Sequence, residues 1–84
     1  MRTIYKYKLA AGVGATMSLL LPRFSNIVHF AYVNEQFFIW VDHELDNLRD
    51  EYLFDIVGTG WPIKNGRHAG TVIHNGFVWH LLVR

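Results

Sequence analysis

Apolar and polar residues alternate in short runs along this chain, and a two-residue period is the period of a β-strand. In residues 3–9 (TIYKYKL), the tyrosines and the leucine share one side, and the lysines share the other. In residues 16–21 (TMSLLL), the methionine and every second leucine face together. The small residues AAGVG at 10–14 supply a flexible turn. These segments are therefore predicted to be the first two strands.

Further segments combine β-branched and aromatic residues, which suit a pleated, half-buried surface. They are 26–33 (NIVHFAYV), 37–41 (FFIWV), 51–57 (EYLFDIV), 70–74 (GTVIH) and 77–83 (FVWHLLV). Asn75-Gly76 separates the last two segments, and this dipeptide predicts a hairpin because a type I′ turn needs positive φ at both central positions. The polar residues Asn34, Glu35 and Gln36 join 26–33 to 37–41.

One segment, 42–50 (DHELDNLRD), has a helical pattern, with Asp42 as a suitable N-cap and leucines three positions apart. A segment this short is not stable as an isolated helix, so we expect at most one short helical turn, or a polar loop, near 43–50. The sequence therefore predicts an all-β fold over residues 1–84. It would be a single domain of six to seven short antiparallel strands, rolled into a small barrel or sandwich.

The glycine-rich stretch 57–72 (VGTGWPIKNGRHAGTV) could be interpreted as a phosphate-binding loop. Such loops open a helix and carry Gly-Lys-Ser/Thr or G-x-G-x-x-G. Here Pro62 interrupts the segment, no helical period follows, and Gly-Lys-Ser/Thr does not occur. We therefore interpret the glycines of this stretch as sites where the chain bends. Gly58 lets the chain leave a strand, Asn65-Gly66 forms a turn, and Gly70 permits close packing.

Composition narrows the possible functions. The chain has 84 residues, is 51% hydrophobic and 15% aromatic, carries a net charge of +1 and contains no cysteine. The high apolar content predicts a dense core together with apolar surface that meets a partner, and we expect a homodimer through an edge strand or an aromatic face. The small net charge does not favour specific nucleic-acid binding. Without cysteine there are no disulfides and no thiol chemistry.

Residues 1–21 imitate a signal peptide, because basic residues precede an apolar run. Glycines, a threonine and a serine interrupt that run, Pro22 and Arg23 follow it, and no small-x-small cleavage site is present. The run is also shorter than the roughly 20 residues that span a bilayer. We expect the segment to be kept as strands and the protein to make no membrane contact.

The histidines suggest a metal site, but the hairpin geometry argues against one. With a two-residue turn at Asn75-Gly76, Thr71 pairs with His80, and His74 points to the opposite face from His80. Zinc needs three or four converging ligands. We therefore expect no metal and no cofactor, and we expect His80 to bond Thr71 or a backbone group.

No catalytic set is evident either. His43 and His68 are expected to lie in loops, and the neighbours of His43, Asp42 and Glu44, would diverge from it. Asp55 lies in the middle of a strand and is the carboxylate expected to be half buried. The sequence does not predict an enzyme.

The tryptophans point to a binding site. Trp40 and Trp79 lie within aromatic strands and are expected in the core. Trp61 lies in the glycine-rich corner, where it either plugs one end of the fold or is presented as an interface anchor, and we favour the anchor. The candidate binding residues are Trp61 and a polar, basic rim formed by Lys64, Asn65, Arg67 and His68.

The motifs VGTGWPI, RHAGTV and GFVWHLLV, preceded by TIYKYKL, resemble a family of small tailed-bacteriophage proteins of unknown function. The resemblance covers nearly the whole chain, and the motifs occur in the same order. It implies a phage origin and a small β fold, and it transfers no catalytic residue. The chain departs from the family pattern at Trp61, where histidine is common, and at Asn34-Glu35, where Asn-Gly is common.

The leading hypothesis is a small, non-enzymatic phage protein that binds a host protein in the host cytoplasm, for instance as an inhibitor of a defence complex. One alternative is a virion or assembly accessory protein. Another is a small-molecule binder, in which aromatic rings stack on a base and Arg67 or Lys64 meets a phosphate.

Overall fold

Strands form wherever the sequence pattern predicts one. The computed structural model describes residues 1–10, 12–45 and 48–84. Within these residues the strands are β1 (Arg2–Leu9), β2 (Thr16–Pro22), β3 (Asn26–Val33), β4 (Gln36–Glu44), β5 (Arg49–Gly58), β6 (Arg67–His74) and β7 (Phe77–Val83). The all-β prediction is confirmed.

The strands form two antiparallel sheets, so the fold is an open sandwich and not a closed barrel. The three-stranded sheet has the order β1-β4-β3, and the four-stranded sheet has the order β2-β5-β7-β6. The edge strands β3 and β6 lie against each other without pairing. Where they meet, a Cβ on Gly70 would lie 2.8 Å from the Cβ of Phe30, so only glycine fits. The predicted packing role of Gly70 is confirmed.

The core lies between the sheets and is built from alternate positions of the strands. Its fully buried side chains include Leu21, Ile39, Val41, Phe54, Ile56 and Leu81. Met17 and Leu21 of β2 are buried and Leu19 packs partly buried against the core, as their shared face predicts. Burying alternate residues in this way places the remaining polar positions on the outer faces of both sheets.

The hairpin predicted at Asn75-Gly76 has the expected register. His74 pairs with Phe77 and Thr71 pairs with His80, as a two-residue turn requires. Asn75 and Gly76 both have positive φ, at 49° and 80°. In the other hairpin, Asn34 and Glu35 have φ of 50° and 65°, so a glutamate occupies a left-handed position that favours glycine.

The part of 43–50 that the structure describes contains no helical turn, so the helical one of the two alternatives does not occur there. Asp42–Glu44 completes β4, and β5 begins at Arg49. Asp46 and Asn47 lie outside the described residues. β4 continues because β1 pairs with it as far as Arg2 and Glu44. These ladder hydrogen bonds outweigh a local helical preference that nine residues could not sustain.

The structure also corrects the expected positions of Trp40 and His43. Trp40 lies on the outer face of the three-stranded sheet, half-buried against His29, with the ring centroids 5.2 Å apart. His43 lies within β4 and not in a loop, and its side chain is 2% exposed. Its Nε2 lies 2.9 Å from the Tyr7 hydroxyl. Its Nδ1 is buried without a hydrogen-bond partner.

Candidate functional site

Trp61 lies at one end of the four-stranded sheet, and its indole is held in one position while still exposed. The backbone N–H of Trp61 donates to the backbone carbonyl of Gly58 at 3.2 Å. The indole covers Gly58, where a Cβ would come within 2.9 Å of the ring. The side chain remains 45% exposed. Of the two predicted roles, plug or anchor, this geometry is compatible with an anchor that is fixed before any partner arrives.

Two more rings continue the surface that Trp61 begins. Trp79 contacts Trp61 edge-to-face at a centroid distance of 5.9 Å. Phe77 stacks on Trp79 at 5.6 Å and is 62% exposed. Trp79 itself is half-buried and packs against the core, as its strand position predicts. We call Trp61, Trp79 and Phe77 the aromatic end.

The polar rim predicted around Trp61 does not gather there. Lys64 and Asn65 line a cleft over the outer face of the four-stranded sheet, beside Asp55 and Arg84. The side-chain oxygen Oδ1 of Asn65 accepts from the backbone N–H of Gly66 at 2.8 Å, which stabilises the predicted turn. Both side chains are exposed. They are therefore available to a partner, but from a different cleft than the one that Trp61 lines.

Arg67 and His68 line a third cleft, at the start of β6. His68 was expected in a loop and lies instead in β6, because a bulge between His68 and Gly70 lets pairing with β7 continue to Arg67. Arg67 is exposed, and its guanidinium makes no ion pair or hydrogen bond with any described residue. The five predicted residues thus divide among three clefts.

Hydroxyl and imidazole groups form a continuous hydrogen-bonded row on the outer face of the four-stranded sheet. The Thr59 Oγ1 lies 2.8 Å from His80 Nε2, and Thr71 Oγ1 lies 2.9 Å from His80 Nδ1. His68 Nε2 reaches the same Thr71 oxygen at 2.8 Å. The predicted bond between His80 and Thr71 is confirmed. Both His80 nitrogens are occupied, so this imidazole has no free lone pair for a metal ion.

No metal centre is assembled elsewhere in the described ranges, which contain no group of three or more metal-ligating His, Asp or Glu side chains.

The half-buried carboxylate of Asp55 is hydrogen-bonded by neighbouring side chains. It accepts from Thr16, and Arg84 Nε donates to it at 2.9 Å. Burial alone would raise the pKa of Asp55, but these hydrogen bonds and the charge of Arg84 together lower it. An ionised carboxylate with both oxygens bonded is not poised to transfer a proton.

Phe24 is a surface residue that sequence reasoning missed. It lies in the turn between β2 and β3, has a positive φ of 62°, and is 86% exposed. A bulky side chain in this region is strained by about 1–3 kcal/mol. The only sequence signal was an aromatic residue in the short turn that follows Pro22.

These features define a small all-β sandwich protein with an ordered, partly exposed aromatic end and separate cationic clefts. The chain belongs to the family described as a domain of unknown function (DUF7352), which matches residues 1–84. Neither a curated protein nor a solved structure gave a significant match.

Among the described residues, no helix has the length and apolar character needed to cross a bilayer.

Proposed function

We propose that this protein is a non-enzymatic binding protein that contacts its partner protein through the aromatic end. The observation that carries this proposal is the fixed yet exposed indole of Trp61. An aromatic side chain that is already ordered loses little conformational entropy on binding. Tryptophan is also enriched among the residues that dominate interface energies.

The aromatic end also indicates the chemistry of the partner. Phe77 and Trp61 flank the half-buried Trp79, and together they present ring edges and faces with no charged side chain in the cleft that they line. The partner would therefore present an apolar concave surface. Burial of Phe77 and Trp61, exposed by 62% and 45%, would supply the driving force.

In the finer form of this proposal, the protein comes from a phage and acts in the host cytoplasm on a host protein, such as a component of a defence complex. The resemblance of the GTGWPI corner and the FVWH strand to small phage proteins supports this form. The small size and the lack of an assembled catalytic group among the described residues are consistent with a protein that acts by binding its partner.

The test uses Trp61→Ala, with Ile4→Ala as the matched control. Ile4 is also an exposed apolar side chain, at 55%, but it lies on β1, outside both the aromatic end and β2. Tagged wild-type protein is used to capture a partner from host lysate, and the affinity of the purified partner is then measured by calorimetry. Trp61→Ala should weaken binding by about 2–4 kcal/mol and leave the thermal melt nearly unchanged. Ile4→Ala should change neither.

Trp79→Ala separates an interface from a packing role. Because Trp79 packs against the core, its truncation should destabilise the fold by about 3–5 kcal/mol. If Trp61→Ala is as unstable as Trp79→Ala, or binds the partner as tightly as the wild type, the aromatic end is not the binding surface.

We also propose that the protein forms a homodimer through β2. The free edge of β1 belongs to a strand with Arg2, Lys6 and Lys8, and charge of this kind blocks edge pairing. β2 (Thr16–Pro22) is the other edge strand that lies outside the contact between β3 and β6, and it contains no charged residue. Light scattering at micromolar concentration should give a dimeric mass. Ser18→Lys should give a monomer, and a monomeric wild type would contradict the proposal.

A further inference from the structure

The cleft at the start of β6 has the features of a small-molecule site. It is lined by both sheets, through Asn26 and Ile27 of β3, Arg67 and Ala69 of β6, and Val83 of β7. Its volume of about 430 Å³ lies in the range of ligand pockets, roughly 300–1,000 Å³. We call it the Arg67 cleft.

Two backbone irregularities border the Arg67 cleft. The register of β3 shifts between Ile27 and His29, and that of β6 shifts between His68 and Gly70. Bulges of this kind bend an edge strand and redirect its side chains, and they are frequent beside functional sites. Here β3 and β6 touch at Phe30 and Gly70, and the cleft lies next to this contact, with Gly70 in its lining.

The charge of the cleft is unbalanced, which sets the sign of its ligand. Arg67 lines it, and no aspartate or glutamate does. In two other clefts that contain a cation, a carboxylate lies beside it: Asp55 with Arg84, and Asp42 with Arg2. Arg67 makes no ion pair with any described residue. An uncompensated guanidinium in a cleft favours an anion that can accept its parallel N–H groups.

Further hydrogen-bond donors surround the same position. The side-chain amide of Asn26 is not engaged by another described residue. His68 uses Nε2 on Thr71, and its Nδ1 carries the proton and can donate in the tautomer in which Nε2 accepts from the Thr71 hydroxyl. Tyr52, by contrast, is committed: its hydroxyl accepts from the Ser25 N–H at 3.2 Å and donates to the Pro22 carbonyl at 3.3 Å. Tyr52 therefore forms a fixed wall of the cleft.

Apart from Ser25, whose hydroxyl donates to the Pro22 carbonyl, the rest of the lining is apolar. Ile27, Ala69 and the buried Val83 form the floor, and the Tyr52 ring forms one side. We propose that the Arg67 cleft binds a small organic anion, with a phosphate or carboxylate group on Arg67 and a planar apolar body on this floor. The site is independent of the aromatic end, since Trp61 lines a different cleft.

Calorimetric titration of the full chain tests the proposal with four probes. Adenosine 5′-monophosphate and indole-3-acetate carry a planar body with a phosphate or a carboxylate, adenosine carries the body alone, and inorganic phosphate carries the anion alone. At least one of the first two should bind more tightly than adenosine and inorganic phosphate. Their relative affinities identify which anionic group the cleft prefers. If neither binds at millimolar concentration, the proposal is wrong.

Arg67→Gln should weaken the binding of that probe by about tenfold to a hundredfold, because charge-assisted hydrogen bonds are lost. Lys8→Gln removes an equal charge on β1, outside the cleft, and should leave the affinity unchanged. Amide chemical shifts of Ala69 and Gly70 should move on titration, with thermal melts confirming that both variants are folded. Equal affinity of Arg67→Gln and wild type, or shifts confined to 58–62, would overturn the proposal. Trp61→Ala should bind the probe normally, so the two sites can fail separately.

Discussion

The indole of Trp61 rests on the bare Cα of Gly58. A Cβ at residue 58 would lie 2.9 Å from Cε2 and Nε1 of this indole and 3.3 Å from Cζ3 of Trp79. The sequence predicts Gly58 as the residue at which the chain leaves a strand. The structure shows that Gly58 also supports the aromatic end. The position of Trp61 depends on the absence of one methyl group.

This relationship predicts that Gly58→Ala displaces Trp61. The added methyl should destabilise the fold by about 1–3 kcal/mol, as overpacking usually does. In a Trp61→Ala background the nearest clash is gone, so Gly58→Ala should destabilise the fold less. A double-mutant cycle by chemical denaturation measures the coupling. Equal effects in both backgrounds would show that Trp61 does not rest on Gly58 in solution.

Glu35→Gly is expected to stabilise the protein. Glu35 has a φ of 65° at the second central position of the β3–β4 turn, where a side chain is disfavoured by roughly 1–2 kcal/mol. Glycine loses more backbone entropy on folding, so the expected net gain is about 0.5–1 kcal/mol. Glu35→Ala keeps the Cβ and is the control. A gain of the same size for alanine would assign the effect to the lost charge.

Asp55→Asn should destabilise the protein at neutral pH and have little effect in acid. The pKa of Asp55 is lowered in the folded state, so its contribution is present above the unfolded pKa and is lost as the pH falls through the folded pKa. Urea denaturation at several pH values measures whether the free energies of unfolding of wild type and variant converge as the pH falls. Asp50→Asn, at an exposed ion pair with Arg23, should show a smaller difference at neutral pH. A pH-independent gap for Asp55→Asn would contradict the proposed cause.

Tyr7→Phe is expected to destabilise the fold through His43. The Tyr7 hydroxyl is the hydrogen-bond partner of the buried His43 Nε2 at 2.9 Å, and Nδ1 already has none. Removing the hydroxyl leaves a second buried polar atom unpaired, which costs about 1–3 kcal/mol. Tyr5→Phe is the control, since the Tyr5 ring also contacts His43 but its hydroxyl bonds no described residue. Equal thermal melts for the two variants would show that the Tyr7–His43 bond contributes nothing.

The sequence alone determined the strands and the hairpin register. Alternation of side chains is a local property of extended backbone, and it defines 3–9 and 16–21 without knowledge of their partners. Asn75-Gly76 fixed the pairing of Thr71 with His80, because a two-residue turn allows one register. Gly70 was also assigned its packing role correctly, although the residue it packs against, Phe30, could not be named from sequence.

Tertiary structure decided which face of a strand is buried. In FFIWV both faces of β4 are apolar, so the pattern could not say that Ile39 enters the core and Trp40 stays outside. It likewise could not show that β1 pairs far enough to carry His43 into the interior. These choices depend on contacts between segments distant in sequence, which local pattern does not encode.

The predicted binding residues lie on separate surfaces for the same reason. Trp61, Lys64 and Arg67 are close in sequence, and a compact loop would have gathered them. The chain instead leaves β5 at Gly58, crosses the outer face of the sheet, and enters β6 at the far end of β7, where Arg67 pairs with Val83. Proximity in sequence predicts proximity in space only when a loop returns to its start. Here it connects opposite ends of a sheet, and so the aromatic end and the Arg67 cleft are separate surfaces.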